Sequence, residues 1–166
     1  MDHTILLTAL RDSGICGTAL GWLQSYLSGR RICTRVRGCL SPESSITSGV
    51  PQGSVLGPLL FLFFYKDIPI ATDAATALFA DDTLAYRTDY NGESTCNEPC
   101  CRLSVDLSQL ADWAHTTKVT MNPSKSKELC FGPRPSKAAL ELNGQPIAKA
   151  SETTHLGVTL THDLRW

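Results

Sequence analysis

An α+β fold is what these 166 residues point to. Three segments repeat apolar residues at helical spacing, Arg31 to Arg37 alternates apolar or small residues with arginines as a strand does, and Asn143-Gly144 is a strong hairpin-turn signal. The expected architecture is a small antiparallel sheet with helices packed on one face. An apolar fraction of 42% against 19% charged residues reads as globular and argues against a disordered chain. The length suits one domain that buries about 70% of the unfolded chain's surface.

The elements follow in order. Asp2 can cap a helix running to about Leu10, with Ile5, Leu6, Ala9 and Leu10 on one face and Gly14 as the stop. Gly17 to Ser28 repeats Leu20, Leu23 and Leu27 and ends at Gly29. Arg31 to Arg37 sets Ile32, Thr34 and Val36 against Arg31, Arg35 and Arg37, with Ser44 to Thr47 as its partner strand. Gly49 to Gly57 is a loop, and Pro58 stands in the first turn of a helix through Lys66. Thr76 to Tyr86 reads as a β-hairpin with Asp81 and Asp82 at its tip, and Tyr90 to Pro99 as a loop. Cys101 to His115 is a helix with Leu103, Leu107, Leu110 and Ala114 as its stripe. Val119 to Met121 and Glu128 to Phe131 are short strands, residues 140–142 and 146–148 flank the Asn143-Gly144 turn, and His155 to Thr161 is a last strand. No repeat, linker or second domain is expected.

The net charge of −1 does not mark the whole chain as a nucleic-acid binder, but the charge is unevenly spread. Arg30, Arg31, Arg35 and Arg37 lie in a stretch without acids from Asp12 to Glu43. Acids at 67, 73, 81, 82, 89, 93, 98, 106 and 112 then face only Arg87 and Arg102. Lys118, Lys125, Lys127, Arg134 and Lys137 follow, with Glu128. A basic–acidic–basic layout suits an anionic polymer held by the flanks and a cation held in the middle; ordinary surface charge produces it too. Seven cysteines, an odd number, and no visible signal peptide argue against a disulfide framework. Cys96-x3-Cys100-Cys101 raises zinc, but no second ligand pair stands at a familiar spacing. The longest apolar run, Leu56 to Tyr65, is too short for a membrane span. The expected location is intracellular, cytoplasmic or nuclear, with no membrane partner.

Two segments carry chemistry. Adjacent aspartates at a hairpin tip repel unless solvated or bridged by a cation. Mg²⁺ prefers one or two carboxylates plus waters and phosphates, which makes Asp81 a candidate metal ligand and Asp82 a weaker one. An Asp-Asp pair that merely turns the chain is the plain alternative. The run Gly49-Val50-Pro51-Gln52-Gly53-Ser54-Val55-Leu56-Gly57-Pro58 lets backbone approach a ligand while staying stiff, and Gln52 offers an amide. It is neither a P-loop nor a dinucleotide fingerprint.

Ser48-Gly49-Val50-Pro51-Gln52-Gly53-Ser54-Val55-Leu56-Gly57-Pro58-Leu59-Leu60-Phe61, followed by Leu78-Phe79-Ala80-Asp81-Asp82-Thr83, resembles the reverse transcriptases of non-LTR, LINE- and jockey-like retrotransposons. The first run looks like motif B and the second like the [YF]-A-D-D box of motif C. Trp113 with Met121 to Lys127 looks like motif D. His155-Leu156-Gly157-Val158, with Leu164-Arg165-Trp166 downstream, looks like motif E, the primer grip. Asp2 to Leu7 and Gly21 to Leu27 match the stretch between motifs A and B. The resemblance spans essentially the whole chain.

It implies a polymerase palm-like antiparallel sheet packed by helices, with some fingers elements and no thumb or endonuclease domain in residues 1–166. It also implies an RNA-directed DNA polymerase acting by two-metal nucleotidyl transfer, with Mg²⁺ or Mn²⁺, an RNA template, a DNA primer and deoxynucleoside triphosphates. Asp81 would ligate the ions and Asp82 support them. Pro51, Gln52 and Gly53 would line the nucleotide pocket, and Phe79 would sit near the primer end. Lys125, or Lys127 in another alignment, would be the general acid for pyrophosphate. His155, Leu156 and Gly157 would contact the primer, and Arg30 and Arg31 the template phosphates.

One departure stands out. Two-metal chemistry draws ligands from two strands, and the family's motif A aspartate would stand roughly nine residues before Asp2. Asp2, at a helix start, is a poor substitute. The expectation is an N-terminally truncated copy, inactive alone, whose missing strand exposes an apolar sheet edge. A non-catalytic RNA-binding remnant and a non-functional translated relic are the alternatives. No oligomeric state follows from the sequence.

Overall fold

The computed structural model describes residues 1–88, 97–131 and 139–163, of which 97–100 by their backbone alone. The chain divides into two compact units, Met1–Lys66 with Thr117–Val119, and Asp67–Thr116 with Thr120–Trp166.

The first unit is helical at its centre. Helix α1 (His3–Asp12) starts where Asp2 Oδ1 accepts the amides of Thr4 and Ile5, as an N-cap should. Helix α2 (Gly17–Leu27) ends before Gly29, which takes a φ of +67°. Helix α3 (Leu56–Tyr65) carries Pro58 in its first turn, where a missing N–H costs nothing. Leu6 and Leu10 of α1, Leu27 of α2, and Leu60 and Phe64 of α3 form the buried cluster, and Val119 packs against it.

Between α2 and α3 runs an exposed ribbon. β1 (Arg31–Ile32) pairs with β4 (Ser44–Ser45), and β2 (Arg35–Val36) with β3 (Cys39–Leu40). The expected continuous strand from Arg31 to Arg37 is therefore interrupted at Cys33-Thr34, where the Thr34 amide donates to the Ser41 hydroxyl. Arg37 and Gly38, both at positive φ, make the ribbon's turn, the primed geometry that strand twist favours.

The second unit holds a 3-10 turn (Ile68–Ile70), the hairpin β5 (Ala75–Phe79) and β6 (Asp82–Tyr86), and helix α4 (Asn97–Thr116). α4 begins earlier than the expected Cys101, with Pro99 in its first turn, and the rest of the expected Tyr90 to Pro99 loop lies outside the described residues. After it come β7 (Lys127–Leu129), β8 (Glu141–Leu142), β9 (Gln145–Pro146), β10 (Ala148–Ala150), β11 (Glu152–His155) and β12 (Val158–Thr161). β8 and β9 close on Asn143-Gly144 as expected, both residues at positive φ.

The α+β expectation holds, but the strands form six two-stranded ladders rather than one sheet among the described residues. β7 and β10 pair in parallel, which the intervening β8–β9 excursion allows. His155 to Thr161 is not one strand. Leu156 and Gly157 both take positive φ and fold it into the β11–β12 hairpin, a turn hidden because leucine is rare in that conformation. Val119 to Met121 forms no described strand: Lys118 turns the chain at a φ of +55° and Val119 serves the helical core. No helix among the described residues is long and apolar enough to cross a membrane.

Candidate active site

The loop before α3 is tied at both ends. Gly49 donates its amide to the Met1 carbonyl, His3 Nε2 lies 2.7 Å from the Gly49 carbonyl oxygen, and Asp2 bridges to Ser48. Ser54 knots the other end: its hydroxyl donates to the Pro51 carbonyl at 2.6 Å and accepts from the Gly57 amide at 3.1 Å. This packing leaves no room at Gly57. A Cβ there would stand 2.9 Å from the Pro51 oxygen and 2.9 Å from Ser54 Oγ. Between the ties, Pro51 is half-buried, whereas Gln52 and Gly53 are exposed, with Gly53 at a φ of +76°. The loop is thus stiff at its ends and presents an amide side chain and a bare backbone at its crest.

The carboxylates lie on the β5–β6 hairpin of the second unit. Phe79 pairs with Asp82, so the two turn residues are Ala80 and Asp81. Asp81 is at the tip and Asp82 is the first residue of β6, a one-residue correction to the expected pair at the tip. Ala80 takes a φ of +52°, the left-handed region where a side chain is strained. A two-residue turn with positive φ at its first position matches the twist of the strands, which is why the strain is tolerated. Asp81 and Asp82 are exposed, and no hydrogen bond or ion pair among the described residues occupies either carboxylate. Phe79, beside them, is 62% exposed. Among the described residues no three His, Cys, Asp or Glu side chains converge on a metal-sized site.

The other expected residues sit on separate turns. Lys125 is exposed on a turn built by Asn122, whose Oδ1 accepts from the amide and hydroxyl of Ser124. Lys127 is exposed at the start of β7. His155 is half-buried at the end of β11, and Leu156 and Gly157 are the exposed turn. No hydrogen bond or ion pair among the described residues joins Lys125 or His155 to the Asp81–Asp82 turn. Arg30 donates Nε to the Tyr26 carbonyl and lies over the Tyr26 ring, and Arg31 pairs with Glu43 at 2.9 Å. Cys96 of the Cys96-x3-Cys100-Cys101 run and Leu164 to Trp166 lie outside the described residues, while Cys16, Cys33, Cys39, Cys101 and Cys130 are free thiols.

Sequence reasoning missed the group at the foot of the hairpin. Asp106 of α4 is 2% exposed. Arg87, the residue after β6, grips it with two hydrogen bonds: Nε to Oδ2 at 2.8 Å and Nη2 to Oδ1 at 2.7 Å. Thr72, ahead of β5, donates its hydroxyl to Asp106 Oδ1 at 2.9 Å and accepts the Ala74 amide. The Arg87 guanidinium holds the Asp106 carboxyl below its ordinary value, against the opposing effect of burial. The signal was present: Asp106 falls three residues after Leu103 and four before Leu110, inside the apolar stripe of α4. Elsewhere in the unit, burial raises the pKa of Glu128 on β7, whose Oε2 has no hydrogen-bond partner.

Residues 1–160 match the family described as reverse transcriptase (RNA-dependent DNA polymerase). The chain is similar to the probable RNA-directed DNA polymerase from transposon BS of Drosophila melanogaster, 37% identical over 152 residues, which are 84% of this chain and 16% of that protein. It is 33% identical over 152 residues to the probable RNA-directed DNA polymerase from transposon X-element of the same species, covering 87% of this chain and 16% of that protein. It is 30% identical over 147 residues to the RNA-directed DNA polymerase from mobile element jockey, again of Drosophila melanogaster, covering 86% of this chain and 16% of that protein. The chain thus spans 16% of the length of these relatives. No solved structure matches it. With the stiff loop, the carboxylate hairpin and this similarity together, the chain belongs to the reverse transcriptase (RNA-dependent DNA polymerase) family.

Proposed function

We propose that the chain is part of a retrotransposon RNA-directed DNA polymerase, and that Asp81 and Asp82 are the metal-binding carboxylates of template-directed nucleotidyl transfer. The observation that carries this reading is the hairpin itself: two adjacent, exposed carboxylates with no partner among the described residues, at a tight turn. The donors fit a hard divalent cation, because Mg²⁺ takes one or two carboxylates and fills its shell with water and phosphate oxygens. Mg²⁺ or Mn²⁺ held by Asp81 and Asp82 would supply charge neutralisation at the phosphoryl oxygens. In this reading residues 1–166 are a palm-centred part of the polymerase with some fingers elements.

The chain's own residues then take distinct parts. Gln52 and Gly53, at the crest of the tied loop, meet the base and sugar edge of the deoxynucleoside triphosphate, with Pro51 shaping the pocket wall. Phe79 offers its exposed ring to the primer end. Lys125 gives a proton to the departing pyrophosphate oxygen, with Lys127 as the other candidate. His155, Leu156 and Gly157 present a hairpin turn to the DNA primer. Arg30 and Arg31 face template RNA phosphates. A second reading, RNA binding without catalysis, is favoured by the fully exposed arginine ribbon from Arg30 to Leu40.

The test is primer extension on an RNA template with Mg²⁺, using this chain and this chain grafted in place of the matched residues of the jockey polymerase. Extension by the graft that disappears in Asp81→Asn supports the reading. Extension that survives Asp81→Asn overturns the assignment of the carboxylates. Salt-sensitive RNA binding with no extension in the graft favours the second reading.

A further inference from the structure

Both ends of the β5–β6 hairpin close on one buried carboxylate. Thr72 stands three residues before β5, Arg87 one residue after β6, and each hydrogen-bonds Asp106 on α4. We propose that Asp106, gripped by Arg87 and Thr72, is a clamp that fixes the direction of the carboxylate hairpin, making Arg87 and Asp106 positioning residues for Asp81 and Asp82. The part of this that concerns catalysis rests on the nucleotidyl-transfer reading above.

Three arguments support it. The first is leverage. A lone two-stranded hairpin is marginally stable in water, and β5–β6 pairs with no third strand among the described residues. Five residues per strand put the tip about 15 Å from the foot. A tilt of about 10° at the foot would move Asp81 by about 2.6 Å, and misplacement by about 1 Å can cost on the order of a hundredfold in rate.

The second argument is the chemistry chosen. A buried ion pair is seldom the most stable way to fill space, since apolar residues of like volume often do as well or better. What an apolar contact lacks is direction. The Arg87 fork binds both oxygens of Asp106 and fixes the plane of the guanidinium, and with it the exit of β6. Thr72 does the same at the entry to β5, and its oxygen also orders the Ala74 amide.

The third argument is where the apolar support is thin. Phe79, Leu84 and Tyr86 alternate along one face of the hairpin and stay well exposed. Leu78, on the other face, is 36% exposed. Packing at the outer half of the hairpin therefore cannot set its direction, and the polar clamp at the foot can.

The experiment uses the whole chain and two readouts. Backbone hydrogen exchange compares β5–β6 with β11–β12, a hairpin of the same unit that makes no hydrogen bond to Thr72, Arg87 or Asp106 among the described residues. In Arg87→Met the β5–β6 amides should exchange at least tenfold faster while β11–β12 stays within twofold, and Arg87→Lys should fall between Arg87→Met and the unaltered chain. Unchanged β5–β6 exchange, or equal acceleration of both hairpins, overturns the clamp. The second readout is Mn²⁺ broadening of the Asp81 and Asp82 amide signals, with Asp81→Asn as the control. Mn²⁺ affinity at the turn should drop at least tenfold in Arg87→Met and recover in part in Arg87→Lys. Affinity unchanged in Arg87→Met overturns the positioning role. If the unaltered chain shows no broadening at the turn, Asp81 and Asp82 do not hold the metal in this chain by themselves, the positioning role falls, and the exchange result alone decides the clamp.

Discussion

Ala80 and Gly57 show how single residues set the two segments with chemistry. At Ala80 the backbone sits in the left-handed region, which costs a residue with a Cβ about 1 kcal/mol. Glycine removes that strain but adds chain entropy to the unfolded state, worth about 0.4–1 kcal/mol. Ala80→Gly should therefore stay within about 0.5 kcal/mol of the original by urea unfolding, the two effects nearly cancelling. Ala80→Val adds β-branching at the same φ and should lose more than about 1 kcal/mol. Gly57 is governed by space instead. A Cβ at 2.9 Å from the Pro51 carbonyl meets backbone, which cannot swing away. Gly57→Ala should cost about 1–3 kcal/mol and loosen the loop that carries Gln52, read as a lower urea midpoint. Ser54→Ala, which forfeits two hydrogen bonds without a clash, should cost about 1 kcal/mol.

Buried charges decide the behaviour of the elements with pH. Arg87 holds the native Asp106 pKa below its ordinary 3.8, so the pair's contribution is fully present above that value and fades as pH falls through the native one. Arg87→Ala leaves a carboxylate buried without its cation and should cost about 3 kcal/mol at pH 7. The difference from the unaltered chain should close below pH 3.8, measured as thermal midpoints across pH. Glu128 has the opposite sign. Burial raises its native pKa above the ordinary 4.5, so its contribution is present below pH 4.5 and lost as pH rises through the native value. Glu128→Gln should raise the thermal midpoint at pH 7, and the gain should vanish below pH 4.5. The helices and the β5–β6 and β8–β9 hairpins were readable because capping residues, apolar stripes and turn pairs are local signals. The Asp106 clamp was half readable: its place in the apolar stripe of α4 signals burial, but nothing local names a partner nineteen residues away. The β11–β12 turn was missed for a local reason, since Leu-Gly breaks the usual turn preference.

Across the whole molecule the family was readable from the order of its motifs, while the partition into two units was not, since no linker composition marks it. Overall charge is equally uninformative, and a chain of net charge −1 must bind nucleic acid, if it binds at all, through a local patch. The exposed ribbon between α2 and α3 is the patch proposed above for RNA, but its arginines are not equal. Glu43 partly neutralises Arg31, and Arg30 is held on Tyr26. Arg35 and Arg37, near the turn of the ribbon, are exposed, with Arg35 paired across the ladder to Leu40 rather than to an acid. Each phosphate contact to a single strand contributes about 0.7 to the slope of log affinity against log salt. Replacing Arg35 and Arg37 together by alanine should reduce that slope by about 1.4 for single-stranded RNA, while Arg31→Ala should reduce it by less than about 0.7. Filter binding from low to physiological salt reads both values. Equal losses for Arg31 and for the pair would place the contact at the base of the ribbon, and no change in any variant would remove the ribbon from the nucleic-acid path.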